Sequence, residues 1–134
     1  MREILFRGKR IDNGEWVEGY LYITHNGGHE ISVYNEEVNI ERWTHEVDHS
    51  TVGQYTGLTD KNGKRIFEGD VAKVLQGKDK DIAYVGFENG AFMMYPETGN
   101  IYERTLWEYW YNDWDVEVVG NIHDNKLEDF DNGR

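Results

Sequence analysis

The chain contains no cysteine, which excludes a disulfide framework, a thiolate metal site and a cysteine nucleophile. It has a single proline and no Pro/Ser-rich or low-complexity tract, so nothing in the composition marks a linker between domains. No apolar run approaches the length of a membrane span or a signal peptide, and Met1 leads straight into the charged "REILFRGKR". These absences predict one soluble, cytoplasmic domain over residues 1–134, without membrane contact.

Basic residues are also scarce: 14 Lys and Arg face 26 Asp and Glu, for a net charge of −12. Such a balance opposes tight non-specific duplex binding, which draws its affinity from many Lys/Arg–phosphate contacts. The charge is unevenly placed. Arg2, Arg7, Lys9 and Arg10 crowd the first ten residues against Glu3, whereas ten acids and three bases follow from Glu97 onward. A solvated, solubilising surface accounts for most of this. A local basic patch at Lys9, Arg10, Lys64 and Arg65 would still permit nucleic-acid binding, and an acidic DNA mimic fits the same charge.

What the chain has in quantity is aromatic residues, at 14%, and glycine, at 15 residues. Large rings therefore dominate the expected core, each burying on the order of 150–250 Å². Turn signals recur along the chain: "IDNGEW" (11–16), "HNGGH" (25–29), "DKNGK" (60–64), "EGD" (68–70), "QGKDKD" (76–81) and "ENGA" (88–91). Asn-Gly and its relatives supply the positive φ that tight hairpins need. Between the turns lie β-prone stretches. "EWVEGYLYI" (15–23) alternates, with Trp16, Tyr20 and Tyr22 on one face and Val17, Leu21 and Ile23 on the other; "IAYVGF" (82–87), "AFMMY" (91–95) and "VEVVGNI" (116–122) follow suit. The expectation is a mainly β, antiparallel domain of several short hairpins with little helix.

"RTLWEYWYNDW" (104–114) is ambiguous. Leu106, Trp107, Trp110, Tyr111 and Trp114 have helical spacing, while Trp107, Tyr109 and Tyr111 alternate; aromatic enrichment favours a strand. The tail "NKLEDF" (125–130) suits one helical turn capped by Asn125.

The glycine-rich "TVGQYTGLTDKNGKRIFEGDVAKV" (51–74) invites a phosphate-loop reading, but Gly57 and Gly63 have the wrong spacing and Arg65 follows Lys64 where Ser or Thr is needed. As a calcium loop it offers only Asp60 and Asn62 of the required ligands. Its glycines shape a backbone. Asp60 is placed to bond N–H groups two residues on, and Gly63 to take the left-handed position of a hairpin.

Three blocks, "MREILFRGKRIDNGEWVEGYL", "TVGQYTGLTDKNGKRIFEGDV" and "VEVVGNIHDN", closely resemble the YopX family, small proteins of phages and prophages of Gram-positive bacteria. The resemblance spans nearly the whole chain and implies a β-rich fold with barrel-like character and a phage or prophage origin. It brings no catalytic residues. Lys126 stands where similar proteins tend to carry a proline.

"HEVDH" (45–49) matches the zinc-protease pattern, in which His45 and His49 would hold the metal and Glu46 would deprotonate its water. That chemistry needs a long helix, yet Ser50, Thr51, Val52 and Gly53 follow in a β-like exit, so coincidence is the expectation. His25 and His29 flank a solvated loop, and His123 beside Asp124 suits a structural hydrogen bond. No serine has a nucleophile-elbow setting, and neighbouring acids such as Glu36-Glu37 and Glu128-Asp129 would point to opposite faces of a strand. No enzyme, cofactor or metal is expected.

The candidate site is the aromatic run Trp107, Tyr109, Trp110, Tyr111 and Trp114. Three uses are open to it: core packing, a protein or self-association surface, or a stacking platform for single-stranded bases. Glu108, Asp113 and Asp115 within the run oppose the last. The chain is therefore expected to be a non-catalytic binding or assembly module, meeting copies of itself or a host or phage protein.

Overall fold

The computed structural model describes residues 3–33, 44–126 and 129–130. The described residues gather into two compact units that divide between Tyr55 and Thr56. The N-terminal unit is an antiparallel meander of β1 (Phe6–Lys9), β2 (Trp16–Ile23), β3 (His29–Ser32) and β4 (Thr44–Val47), joined beyond β1 by the start of β5 (Gly53–Thr59). The "IDNGEW" signal acts as read: the Asn13 side chain accepts from the Glu15 amide at 2.9 Å, and the Arg10 amide donates to the Glu15 carbonyl at 2.8 Å. That closes the β1–β2 hairpin, with Lys9 opposite Trp16. Ile31 and Val47 are buried on the inner side of this sheet, and Tyr20 and Tyr22 stand exposed on β2.

In the C-terminal unit β5 continues through a turn to β6 (Arg65–Phe67), followed by β7 (Asp70–Gln76), β8 (Asp79–Glu88), β9 (Ala91–Pro96), β10 (Arg104–Thr105), the helix α1 (Leu106–Tyr111) and β11 (Asp115–Asn121). A five-stranded antiparallel sheet runs β10-β9-β8-β7-β11. Its register explains its core. Ala72 pairs with Ala83 and Val118, Val74 with Val116, and Val85 with Met94, so that one face is apolar except where buried Asp81 stands opposite Val74. Leu106 and Tyr109 of α1 pack into the same core, together with Ile66 and Ile101. Period-two burial on the strands and an i, i+3 pair on the helix thus meet in one layer.

Mainly antiparallel β structure with one short helix is what the turn spacing predicts, but the barrel-like character is not found. A barrel requires its first and last strands to pair. Here β11 pairs with β7 at one edge of its sheet, and β10, only two residues long, ends the other where the chain turns into α1. The strand expected over 104–114 likewise holds only for Arg104–Thr105. From Leu106 the chain is helical because Thr105, extended at φ −65° and ψ 149°, caps the helix: its hydroxyl accepts from the Glu108 amide at 3.2 Å. The Thr105 hydroxyl also donates to the Glu108 carboxylate at 3.2 Å, and the Thr105 backbone amide bonds the same carboxylate, a capping box that outweighs the β preference of the aromatic residues. The turn expected over 125–130 falls in part on residues 127–128, outside the described residues.

Asp60 shows why the glycine-rich segment is built as it is. Gly63 takes φ +80° in the turn, and the Asp60 carboxylate accepts three backbone N–H groups, from Asn62, Lys64 and Val118, each at 2.9 Å. The Lys61 amide adds a bond to the Val116 carbonyl at 3.0 Å, so the tip of the β5–β6 hairpin is fastened to β11. Burial pushes the Asp60 pKa up, but the amides of Val118, Lys64 and Asn62 outweigh it and hold the carboxyl below the ordinary aspartate value. A lowered folded-state pKa stabilises above the unfolded pKa, near ~3.9, and that stability is lost as pH falls through the folded value. Asp60→Ala is expected to cost about 3 kcal/mol at pH 7, roughly what orphaning the buried Val118 donor and the two part-buried donors of Asn62 and Lys64 costs. The wild-type advantage should shrink below about pH 4; denaturant melts of both proteins at pH 7 and pH 3 check this.

Candidate functional site

The site is built on the short helix α1 and the chain that leaves it. Leu106 and Tyr109 point into the core; Tyr109 is fully buried and its hydroxyl donates to the Tyr102 carbonyl at 2.6 Å. Helical geometry then forces Trp107, Trp110 and Tyr111 onto the outer surface, where they are 55%, 53% and 66% exposed. Trp107 and Tyr111, one turn apart, stack with ring centroids 4.8 Å apart and planes inclined by 19°. Arg104 pairs with Glu108 at 3.2 Å, and this hydrogen bond is the main reason the Glu108 carboxyl lies below its ordinary pKa.

The helix stops in a Schellman arrangement. The Trp114 amide donates to the Tyr109 carbonyl at 3.2 Å and the Asp113 amide to the Trp110 carbonyl at 3.1 Å, with Asp113 at φ +57° where glycine is usual. This turn swings Trp114 back against the core, where it meets Tyr109 edge-on with centroids 4.9 Å apart. Trp110 and Trp114 thereby line a groove of about 280 Å³. Its apolar lining comes from Ile66, Leu106 and Val116, and its polar lining from Thr59, Asp60, Lys61, Asp113 and Asp115. Arg104 places its guanidinium 5.8 Å from the Trp114 ring and 5.9 Å from that of Tyr102.

The five residues singled out in the sequence therefore divide by role. Trp107, Trp110 and Tyr111 form an exposed patch, Trp114 is half-buried beside it, and Tyr109 is core. The convergence of Asp60 and Lys61 with Asp113 and Asp115 is not legible in the sequence, because the two segments lie more than fifty residues apart. The Thr105-x-x-Glu108 capping pattern was the available signal for the helix that brings them together.

"HEVDH" does not form the helix its chemistry needs. His45 and Glu46 lie in β4, paired with β3, and His49 begins a single 3-10 turn capped by the Asp48 carboxylate, which accepts from the Ser50 amide at 3.0 Å. His45 and His49 are thus not one helical turn apart, and the metalloprotease alternative has no geometric support. Among the described residues no three His, Cys, Asp or Glu side chains are grouped to hold a metal ion. A second cleft, of about 570 Å³, lies in the N-terminal unit, lined by Lys9, Arg10, His29, Glu46, Asp48 and His49 among others. Its basic groups are already engaged in part: Arg10 pairs with Asp12 at 2.7 Å, and Lys9 lies 5.8 Å from the Trp16 ring. No helix among the described residues is long and apolar enough to cross a membrane.

The YopX family model, described as YopX protein, matches residues 5–128. This chain belongs to the YopX family. Among solved structures it resembles the crystal structure of protein YopX from Bacillus subtilis, with a TM-score of 0.59 and 18% identity, over 92% of this chain and 96% of that one. At that identity the likeness speaks to the fold alone. No curated protein matches the chain. Family membership thus supports the β-rich architecture of the YopX fold and leaves the use of the aromatic helix to be argued from its own geometry.

Tyr109 offers a test of how firmly that helix is anchored. Burial raises its pKa to about 12, and the nearby carboxylates of Asp81, Glu108 and Glu103 add to the rise against the opposing Arg104. A raised folded-state pKa means the buried phenol stabilises fully below about pH 10 and loses that contribution as pH rises through the folded value. Tyr109→Phe is expected to be less stable at pH 7 by about 1–2 kcal/mol, because it strips the Tyr102 carbonyl of its donor. The gap between the two proteins should close between pH 10 and about 12, as read by urea melts across that range.

Proposed function

We propose that the chain is a non-catalytic, phage- or prophage-encoded binding module, working in the cytoplasm of a bacterial host, that docks another protein through Trp107, Trp110 and Tyr111. The observation that carries this reading is the exposure of three large rings, each more than half accessible, on one six-residue helix. A surface helix of this size normally turns such side chains inward and polar ones outward. Here Leu106 and Tyr109 already satisfy the core, so the outer rings add nothing to it and leave an apolar patch of the kind that marks interfaces. Stacking of Trp107 on Tyr111 and the capped helix beneath them mean that little side-chain entropy remains to be lost on binding.

The charges around the patch favour a different protein over a second copy. A two-fold contact centred on the patch would bring the Asp113 and Asp115 carboxylates of two copies near one another, and like charges across an interface are repulsive. The same acids disfavour the stacking of nucleic-acid bases on these rings.

A tagged chain passed through nuclease-treated bacterial lysate is expected to retain a stoichiometric protein that the Trp107→Ala/Tyr111→Ala variant does not. With that partner purified, the variant should bind it at least about thirtyfold more weakly, the scale of a hot-spot loss. Its own stability should change by no more than about 0.5 kcal/mol, as expected for exposed positions. Retention of the partner by the variant, or recovery of nucleic acid alone that salt strips away, would sink the proposal.

A further inference from the structure

We infer that the groove between Trp110 and Trp114 is a receptor for a cationic side chain, an arginine presented by a basic segment of a partner protein. This rests on the reading of α1 as a docking face and specifies what that face selects. Two features point to it. The first is the lining: indole surface from Trp110 and Trp114 beside Ile66, Leu106 and Val116, with two exposed carboxylates, Asp113 and Asp115, and the ammonium of Lys61, while the buried Asp60 carboxylate is committed to backbone amides. Aromatic faces attract a guanidinium through their quadrupole, and a carboxylate at the rim can hold its planar fork. An anionic or neutral polar group would gain neither.

The second feature is Asp113 itself. It occupies the left-handed position of the helix stop at φ +57°, where glycine is the unstrained choice. Aspartate is among the few non-glycine residues that tolerate this backbone, and here it also places a carboxylate at the groove's edge. The chain also shows the same chemistry in miniature next door: Arg104 lies 5.8 Å from the Trp114 ring and 5.9 Å from the Tyr102 ring, and pairs with Glu108 at 3.2 Å. A partner arginine in the groove would reproduce that arrangement with Trp110, Trp114, Asp113 and Asp115.

The test uses the full chain and two fluorescein-labelled hexapeptides, hexa-arginine and its neutral isostere hexa-citrulline, titrated by fluorescence anisotropy. Hexa-arginine is expected to bind, more weakly as salt rises, and hexa-citrulline to bind at least about tenfold less well. Asp113→Asn/Asp115→Asn and Trp110→Ala should each weaken hexa-arginine binding about tenfold. Asparagine tolerates the left-handed backbone, so the double variant keeps the helix stop. A charge-matched control, Glu88→Gln/Asp124→Asn, removes the same two charges at the end of the five-stranded sheet opposite the groove and should leave binding within about twofold. Three results would each overturn the inference: no binding of hexa-arginine, equal binding of hexa-citrulline, or an equal loss in the control, which would mean only general attraction to an acidic protein. If any of them is found while Trp107→Ala/Tyr111→Ala still loses its protein partner, the docking face stands and the arginine receptor falls.

Discussion

The carboxylate of Asp60 gathers what the site requires. Three amides from two separate segments converge on it. Without it the tip of the β5–β6 hairpin would be tied to β11 only by the Lys61 amide on the Val116 carbonyl and by Asn62 on Glu117, and the groove shared by Thr59, Lys61 and Val116 would lose its main fastening. A single buried anion can do this because its two oxygens accept in several directions at once, whereas a backbone carbonyl serves one neighbour well. The cost is desolvation, offset by charge-assisted bonds to N–H groups that would themselves be orphaned in its absence. Asp81 does comparable work nearby. It accepts from the amides of Ile82, Thr98 and Asn100 and from the Thr98 hydroxyl, holding the loop after β9 so that buried Ile101 can precede α1.

On that frame α1 solves a local conflict. Its sequence is aromatic enough to be a strand, and in isolation six residues would not hold a helix, since nucleation is costly and few hydrogen bonds repay it. Tertiary contacts decide the matter. Thr105 and Glu108 cap the start, Asp113 and Trp114 close the end, and Tyr109 and Leu106 fasten the middle. Fixing the helix by these residues dictates where the others go. Once positions 106 and 109 face inward, positions 107, 110 and 111 face out, so the exposure of the rings follows from the anchoring rather than from loose packing.

Much of the architecture was legible because it depends on local chemistry. Asn13-Gly14, Asn62-Gly63 and Gly69-Asp70 marked turns, alternating apolar residues marked strands, and Asp60 could be assigned its amide-binding role from the turn alone. The three quoted blocks likewise pointed to the YopX family. Closure was not legible, because it depends on which edge strands meet, and no short stretch encodes that. The helix at 106–111 was misread as strand because aromatic preference was weighed ahead of the Thr105–Glu108 cap. The division of the aromatic run into buried Tyr109 and exposed Trp107, Trp110 and Tyr111 needed the helix to be known first. The groove itself draws on residues as far apart as Thr59 and Val116, and only the folded register brings them together.

The net charge of −12 takes on a more specific meaning in this setting. Spread over a surface, such charge raises solubility and speeds encounter with any basic partner, but it confers little selectivity because salt screens it within about 10 Å. Selectivity needs a place where attraction is short-ranged and directional. The C-terminal unit supplies one where the helix stop sets Asp113 and Asp115 on either side of Trp114, beside a groove whose apolar lining excludes water from part of the contact. Long-range charge would bring a basic segment near, and the indoles of Trp110 and Trp114 would distinguish a flat guanidinium from a mere positive charge. Acidic composition and aromatic exposure, which as separate properties suggest only solubility and stickiness, together describe a surface selective for cations.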